Sequence, residues 1–446
     1  MTSHQDTIVA VATPPGRGGI GIIRVSGDLS AYIATAVLGA LPPPRKATYT
    51  EFKSSQQEIL DSGIALYFPA PHSFTGEHVL EFQGHGGPVV LDMVLKHCLS
   101  LGARLARPGE FSERAFLNDK VDLAQAEAIS DLIDSSSEQA ARSALRSLQG
   151  HFSTAIEALL QELIELRVYV EAALDFPDEE IDFLADKAVT NRLDRIKLQL
   201  HTIFSKAKNG SLLREGMQLV IVGKPNAGKS SLLNALSGND TAIVTEVAGT
   251  TRDVLRETIN LDGMPLHIID TAGLRESNDP VEKIGIQRAW QEIEKADLIL
   301  LLIDETDNNN KDNQHILEQL PNALPLLQVH NKIDLSNTSA GQRDNKIYIS
   351  AKQQLGIEAL KEALKQQMGY QSEVEDSYIA RRRHLQALTE TQQAVDEAER
   401  QLKQYNAGEL MAEELRIAQD TLGQITGRYT PDDLLGEIFS NFCIGK

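Results

Sequence analysis

Gly223-Lys224-Pro225-Asn226-Ala227-Gly228-Lys229-Ser230 decides the reading of this 446-residue chain. The stretch fits G-x-x-x-x-G-K-[ST], a phosphate-cradling loop. Gln218 to Val222 before it is apolar and reads as a strand; Ser231 to Leu236 after it reads as the start of a helix. Strand, glycine loop and helix in that order turn backbone N–H groups around an anion, and the helix N-terminus adds positive partial charge. Lys229 is expected to neutralise the outer phosphates and the Ser230 hydroxyl to ligate Mg²⁺. Asn226, Ala227, Gly228 and Ser231 complete the expected nucleotide contacts.

Further signatures follow in chain order. Asp270-Thr271-Ala272-Gly273 ends a strand read over Leu266 to Ile269. An Asp at a strand end holds the Mg²⁺ shell through water, and a Gly there lets its N–H approach the γ-phosphate. Asn331-Lys332-Ile333-Asp334 follows the apolar run Leu324 to Val329. The Asp334 carboxylate accepts from both N1–H and the exocyclic amine of guanine, a donor pair that adenine lacks, and a site built for one polar edge rejects the other base. Ser350-Ala351-Lys352 follows the strand Lys346 to Ile349 and offers the Ala351 N–H to guanine O6. The segment 216–376 is therefore expected to be a Ras-like P-loop GTPase domain that takes GTP as substrate.

Between the first two signatures lies Thr245-Glu246-Val247-Ala248-Gly249-Thr250-Thr251-Arg252-Asp253, in the place of switch I. Thr251 is the expected second hydroxyl ligand of Mg²⁺, and Thr245 to Thr251 are expected to line the nucleotide. Leu274 stands where Ras-type enzymes carry a water-orienting glutamine, and leucine cannot hydrogen-bond water. Arg252 and Arg275 read either as cis arginine fingers or as solvated, structural residues. A monovalent cation held by the Asn226 side-chain carbonyl and switch I backbone oxygens is the alternative source of positive charge.

Composition bounds the rest. The 446 residues favour a multidomain chain, and 41% hydrophobic content suffices for packed cores. No apolar run approaches the roughly 18 residues of a membrane span, and Met1 to Asp6 carries no cationic-then-apolar leader. Cys98 and Cys443 give no disulfide framework and no zinc spacing, consistent with a reducing cytoplasm. A formal net charge of −20 argues against broad electrostatic adhesion to nucleic acid, so any contact with nucleic acid must be local or supplied by a partner. Arg381-Arg382-Arg383-His384 is the densest basic cluster and reads by itself as a solvated helix face.

Residues 1–118 alternate short apolar runs with Gly and Pro, as in an α+β domain. Ile8 to Ala12, Ile20 to Val25 and Val79 to Phe82 read as strands, Pro14 to Gly19 as a turn, and Val89 to Leu101 as a helix. Over 119–210 apolar residues recur at three and four, as in Leu159-Leu160-Leu163-Ile164-Val168, and Pro177 marks a break between helices. Tyr378 to Gln404 and Leu410 to Thr426, within 377–446, return to that pattern. The expected fold is multidomain α/β: an N-terminal α+β domain, and a discontinuous all-α helical domain into which the GTPase domain is inserted.

The P-loop, the TTRD switch and the ending Phe442-Cys443-Ile444-Gly445-Lys446 together resemble the MnmE/TrmE family of tRNA-modification GTPases, over essentially the whole chain. The resemblance implies that K⁺ replaces the arginine finger, held by Asn226, Thr245, Val247 and Thr250. It implies that Glu282 activates water indirectly; alone, Glu282 reads as a first-turn helix glutamate. It implies a functional thiol at Cys443 and an N-terminal domain similar to the folate-binding domain of glycine-cleavage T proteins. The implied contacts to a tetrahydrofolate one-carbon derivative, 5-formyl-tetrahydrofolate, are Arg24, Glu81, Lys120 and Lys446; without the resemblance each reads as a surface charge. It further implies a homodimer joined through the N-terminal domains and a heterotetramer with an FAD-dependent partner, MnmG (GidA). The implied reaction adds an aminomethyl or carboxymethylaminomethyl group to C5 of the wobble uridine, U34, of certain tRNAs. A ribosome-assembly GTPase switch without modification chemistry, and a folate-dependent methyltransferase regulated by its G domain, are the competing readings.

Overall fold

The computed structural model describes residues 6–175, 187–237, 256–261, 263–270, 296–307, 317–318, 320–321, 324–336, 338–368, 370, 377–428, 432–440, 442 and 445. The chain divides into two compact units. The first gathers Met1–Ser130, Ser147–Lys197 and Ala387–Lys446; the second gathers Asp131–Arg146 and Leu198–Gln386.

The first unit contains a six-stranded sheet ordered β3-β4-β5-β2-β1-β6. Its strands are β1 (Ile8–Val11), β2 (Gly18–Ser26), β3 (Thr48–Lys53), β4 (Ile59–Phe68), β5 (Val79–Gly86) and β6 (Arg104–Leu105). Val9, Ile23, Val25, Leu80 and Phe82 point to one buried face, as the two-residue strand period requires. Ile33 and Val37 of helix Ser30–Leu38 and Leu91 and Val94 of helix Pro88–Ser100 belong to the same core. Two expectations are corrected here. Gly18 and Gly19 are strand rather than turn, and β5 continues past Phe82 to Gly86. Both follow from one pairing, Gly18 with Gly86 and Gly21 with Gly84. Glycines that look like punctuation in the sequence here permit close backbone approach between strands.

The helical part of this unit packs His151–Asp175 against Gly408–Gly423. A further helix, Asp432–Ser440, lies beyond the expected end at Thr426. Its Ile438 and Phe439, with Phe442, join Leu123 and Ala126 in one apolar cluster.

The second unit holds a seven-stranded sheet ordered β12-β13-β11-β10-β7-β9-β8. The strands are β7 (Met217–Gly223), β8 (Arg256–Leu261), β9 (Met264–Asp270), β10 (Leu298–Asp304), β11 (Leu326–Asn331), β12 (Gly341–Arg343) and β13 (Lys346–Tyr348). β7, β9, β10, β11 and β13 are parallel; β8 and β12 are antiparallel edges. Leu219 and Ile221 face one apolar layer with Leu232, Leu236, Leu360 and Leu364, whereas Val220 and Val222 face the other with Ile299 and Leu301. A sheet covered on both faces needs apolar strands throughout, which is why β7 and β10 lack polar alternation. The basic cluster is also corrected. Arg381 donates to Asp131 Oδ1 at 2.9 Å, and His384 is buried with its Nδ1 accepting from the Arg381 N–H at 3.1 Å. Of this cluster, Arg382, with a side chain 88% exposed, fits a solvated face.

Candidate functional site

β7 is flanked by β9 on one side and β10 on the other, so the connections leave it in opposite directions. Ligands in such sheets bind outside the carboxyl ends of the strands at this switch point. The loop Lys224–Gly228 sits there, and the helix Lys229–Ser237 begins at its end. Lys229 and Ser230 therefore occupy the first helical turn, earlier than the helix start expected at Ser231.

Backbone geometry makes the loop concave. Asn226 has φ +63° and Gly228 φ +101°. A Cβ on Gly228 would lie 2.3 Å from Asn331 Nδ2, so only glycine lets the two loops meet. Lys229 Nζ donates to the Gly223 carbonyl at 2.9 Å, closing the loop around its own ammonium. Asn226, Ser230 and Ser231 are exposed, with side chains accessible to a ligand. An exposed hydroxyl on the first turn, beside inward-turning N–H groups, fits Mg²⁺ and phosphate in donor chemistry.

The guanine-reading loops are tied to the P-loop by one side chain. Asn331, 2% exposed, donates from Nδ2 to the Ala227 carbonyl at 2.8 Å and accepts at Oδ1 from the Ala351 N–H at 3.0 Å. Ser350 Oγ donates to Asp334 Oδ1 at 2.6 Å and fixes the carboxylate expected to read the base. Lys332 has φ +66°, and its Nζ donates to Asp304 Oδ2 at 2.6 Å. Partial burial pushes Asp304 upward, but hydrogen bonds from Lys332 and Thr306 outweigh it and hold the carboxyl below its usual range. Lys352 follows on the same loop. Asp270 ends β9, next to β7. Thr245, Glu246, Val247, Ala248, Gly249, Thr250, Thr251, Arg252, Thr271, Ala272, Gly273, Leu274, Arg275 and Glu282 lie outside the described residues.

A second constellation forms in the N-terminal sheet. Arg24 on β2 and Glu81 on β5 are cross-strand partners, and Arg24 Nε donates to Glu81 Oε1 at 3.0 Å. The Arg24 guanidinium lies 5.6 Å from the Phe74 ring centroid and 5.7 Å from that of Phe111. Their side chains are 24% and 14% exposed, so the surface-charge reading of this pair fails. Arg24 Nη1 also reaches the Gly445 carbonyl at 3.5 Å. Gly445, at φ +94°, sits where a Cβ would be 2.5 Å from the Val11 carbonyl oxygen. Gly445 thus seats on the N-terminal sheet beside Arg24. Lys120 Cε stands 3.1 Å from where a Gly76 Cβ would lie. Cys443 and Lys446 lie outside the described residues. Burial pushes the Cys98 thiol up to about 12, which leaves it inert at neutral pH.

Sheet order, phosphate loop and base-reading loops define a P-loop GTPase, and GTP hydrolysis with Mg²⁺ is its reaction. The family described as MnmE helical domain matches residues 123–443, and the family described as GTP-binding protein TrmE N-terminus matches residues 7–120. The chain is 61% identical over 451 residues to the tRNA modification GTPase MnmE of Pasteurella multocida (strain Pm70), covering 99% of this chain and 100% of that one. It is 58% identical over 448 residues to the tRNA modification GTPase MnmE of Hydrogenovibrio crunogenus, covering 100% of this chain and 99% of that one. The chain belongs to the MnmE family of tRNA modification GTPases. Among the described residues no helix is long and apolar enough to cross a membrane.

Proposed function

We propose that this chain is a potassium-dependent GTPase of the cytoplasm that modifies tRNA. It works as a homodimer and in a heterotetramer with an FAD-dependent partner of the MnmG kind. Together they add an aminomethyl or carboxymethylaminomethyl group to C5 of U34 in certain tRNAs. The observation that carries this reading is the meeting of Arg24 with Gly445, 421 positions apart, which brings Gly445 to the Arg24–Glu81 pair. Full-length identity to the tRNA modification GTPases supports it.

Residue chemistry supports each part. Arg24 and Glu81 place a donor and an acceptor side by side, with the Phe74 and Phe111 rings near the Arg24 guanidinium, a combination that fits the flat, hydrogen-bonding ring of a folate. Lys120 and Lys446 supply positive charge for its carboxylates, and Cys443 brings a thiol to the same tail. In the G domain, Lys229 and Ser230 hold the phosphates and Mg²⁺, with Thr251 as the second hydroxyl. Asn226, Thr245, Val247 and Thr250 offer oxygens for K⁺, and Glu282 orients water. Bound K⁺ and Mg²⁺ would supply charge neutralisation, and a bound tetrahydrofolate one-carbon derivative would supply the one-carbon unit. The chain's own part is to turn amides and hydroxyls toward the phosphates and to carry nucleotide-driven motion into the helices.

The test compares GTP turnover in KCl and NaCl at equal ionic strength, together with mass spectrometry of wobble uridines from cells lacking the chain. Turnover at least about tenfold faster in K⁺ is expected, as for any removed transition-state charge. Loss of the U34 modification and failure of Cys443→Ser to restore it are expected too. Equal turnover in both salts removes the potassium role. Unmodified-tRNA levels indistinguishable from wild type, with co-sedimentation on ribosomal subunits, favour the ribosome-assembly reading.

A further inference from the structure

β10 ends at Asp304, and Glu305, Thr306 and Asp307 follow it, giving three carboxylates in four residues. In the sheet, β10 lies between β7, which leads into the P-loop, and β11, which leads into the guanine-reading loop. The end of β10 therefore faces both. Asp304 Oδ2 accepts from Lys332 Nζ at 2.6 Å, and Glu305 Oε2 meets His330 Nδ1 at 2.6 Å. On the other side, Asp307 Oδ2 accepts from Lys224 Nζ, the second residue of the P-loop, at 2.7 Å.

The segment is itself held in shape. Glu305 N–H donates to the Asn331 carbonyl at 2.9 Å. Thr306 donates to Asp304 Oδ1 from its N–H at 3.0 Å and from its hydroxyl at 2.6 Å. Asp307 N–H donates to the Asp304 carbonyl at 3.0 Å. Lys332 stands in a left-handed backbone, which a lysine adopts only when its surroundings impose it. The Asp304–Lys332 pair is 19% and 30% exposed at its side chains, so it is less screened than a surface pair.

We propose that Asp304–Asp307 is a positioning element for nucleotide selection. Asp304 sets the guanine-reading loop through Lys332, and Asp307 sets the phosphate loop through Lys224. The two arms act on different parts of the nucleotide. Asp304 governs how well Asp334 meets the base edge, whereas Asp307 governs a loop that sees only phosphate.

Competition binding of GDP and inosine diphosphate to the full-length protein separates the arms, because inosine lacks the exocyclic amine. Asp304→Asn keeps the Thr306 hydrogen bonds but loses the charge. It is expected to weaken GDP by about tenfold and inosine diphosphate by less, narrowing the preference, as loss of one charge-assisted hydrogen bond allows. Asp304→Glu restores part of that preference. Asp307→Asn is expected to weaken both ligands by the same factor, about threefold, and to add nothing to Lys224→Met. Wild-type-like GDP affinity in Asp304→Asn, or equal losses for both ligands in Asp304→Asn and Asp304→Glu, overturns the assignment. So does a base-dependent effect of Asp307→Asn. The inference rests on GTPase identity and not on potassium or folate. A wild-type chain that binds no GDP refutes that identity, while a binding wild type with indifferent variants refutes only the positioning element.

Discussion

Replacing Asn331 by alanine tests the central claim about the nucleotide site. Its amide spans the Ala227 carbonyl at 2.8 Å and the Ala351 N–H at 3.0 Å, and those residues are 1% and 5% exposed. Truncation strands one buried acceptor and one buried donor. Each stranded group costs about 1–3 kcal/mol, and partial entry of water brings the pair to about 2–4 kcal/mol. The bridge joins protein groups on both sides, so the loss divides between G-domain stability and nucleotide affinity. Denaturant unfolding gives the first part, and titration with a fluorescent GDP analogue gives the second. If the whole loss fell on affinity, Kd would rise roughly 30- to 1,000-fold. Asn331→Asp separates the two bonds. It keeps an acceptor for Ala351 but turns a carboxylate oxygen toward the Ala227 carbonyl, so it is expected to be at least as damaging. Stability and affinity losses in Asn331→Ala that together stay under about 0.5 kcal/mol would refute the reasoning, since that is the range of an inconsequential surface change.

Gly228→Ala forces a Cβ to 2.3 Å from Asn331 Nδ2 at φ +101°, and GDP binding is expected to fall at least about a hundredfold in the same titration. Gly445→Ala meets the Val11 carbonyl oxygen at 2.5 Å. It is expected to unseat the tail, abolishing wobble-uridine modification while GTP turnover of the isolated chain stays unchanged. Glu110, 2% exposed, is pushed up by burial but pulled further down, to about 2 from 4.5, by Arg104, the Arg107 N–H and Arg114. A depressed carboxyl stabilises fully above its unfolded pKa and loses that contribution as pH falls toward its folded pKa. The wild type should therefore lose roughly 3 kcal/mol between pH 4.5 and 2 that Glu110→Gln does not, read as a flatter pH dependence of the denaturant midpoint.

The P-loop was legible because its demands are local: a strand, residues that accept positive φ, a lysine and a helix start, all within a dozen positions. The apolar strand β7 was legible for the same reason, since burial on both faces leaves an unbroken hydrophobic run. Strands β3, β4, β8 and β12 were not, because edge and half-exposed strands carry mixed residues that resemble loops. The helix Asp432–Ser440 escaped because, although Leu435, Ile438 and Phe439 recur at helical spacing, so short a helix depends on packing with Leu123 and Ala126.

By itself the sequence determined the chemical inventory: a phosphate loop, an aspartate expected to read guanine, and a tail ending in Cys-Ile-Gly-Lys. Only tertiary structure decided what those groups face. Asn331 bridges two loops, Asp304 and Asp307 reach one loop each, and Arg24 meets Gly445 across 421 positions. Backbone conformation and periodicity are set by neighbouring residues and leave a readable trace. A hydrogen bond between distant segments depends on strand order and register, which arise from the packing of the whole core and leave no trace in either partner alone.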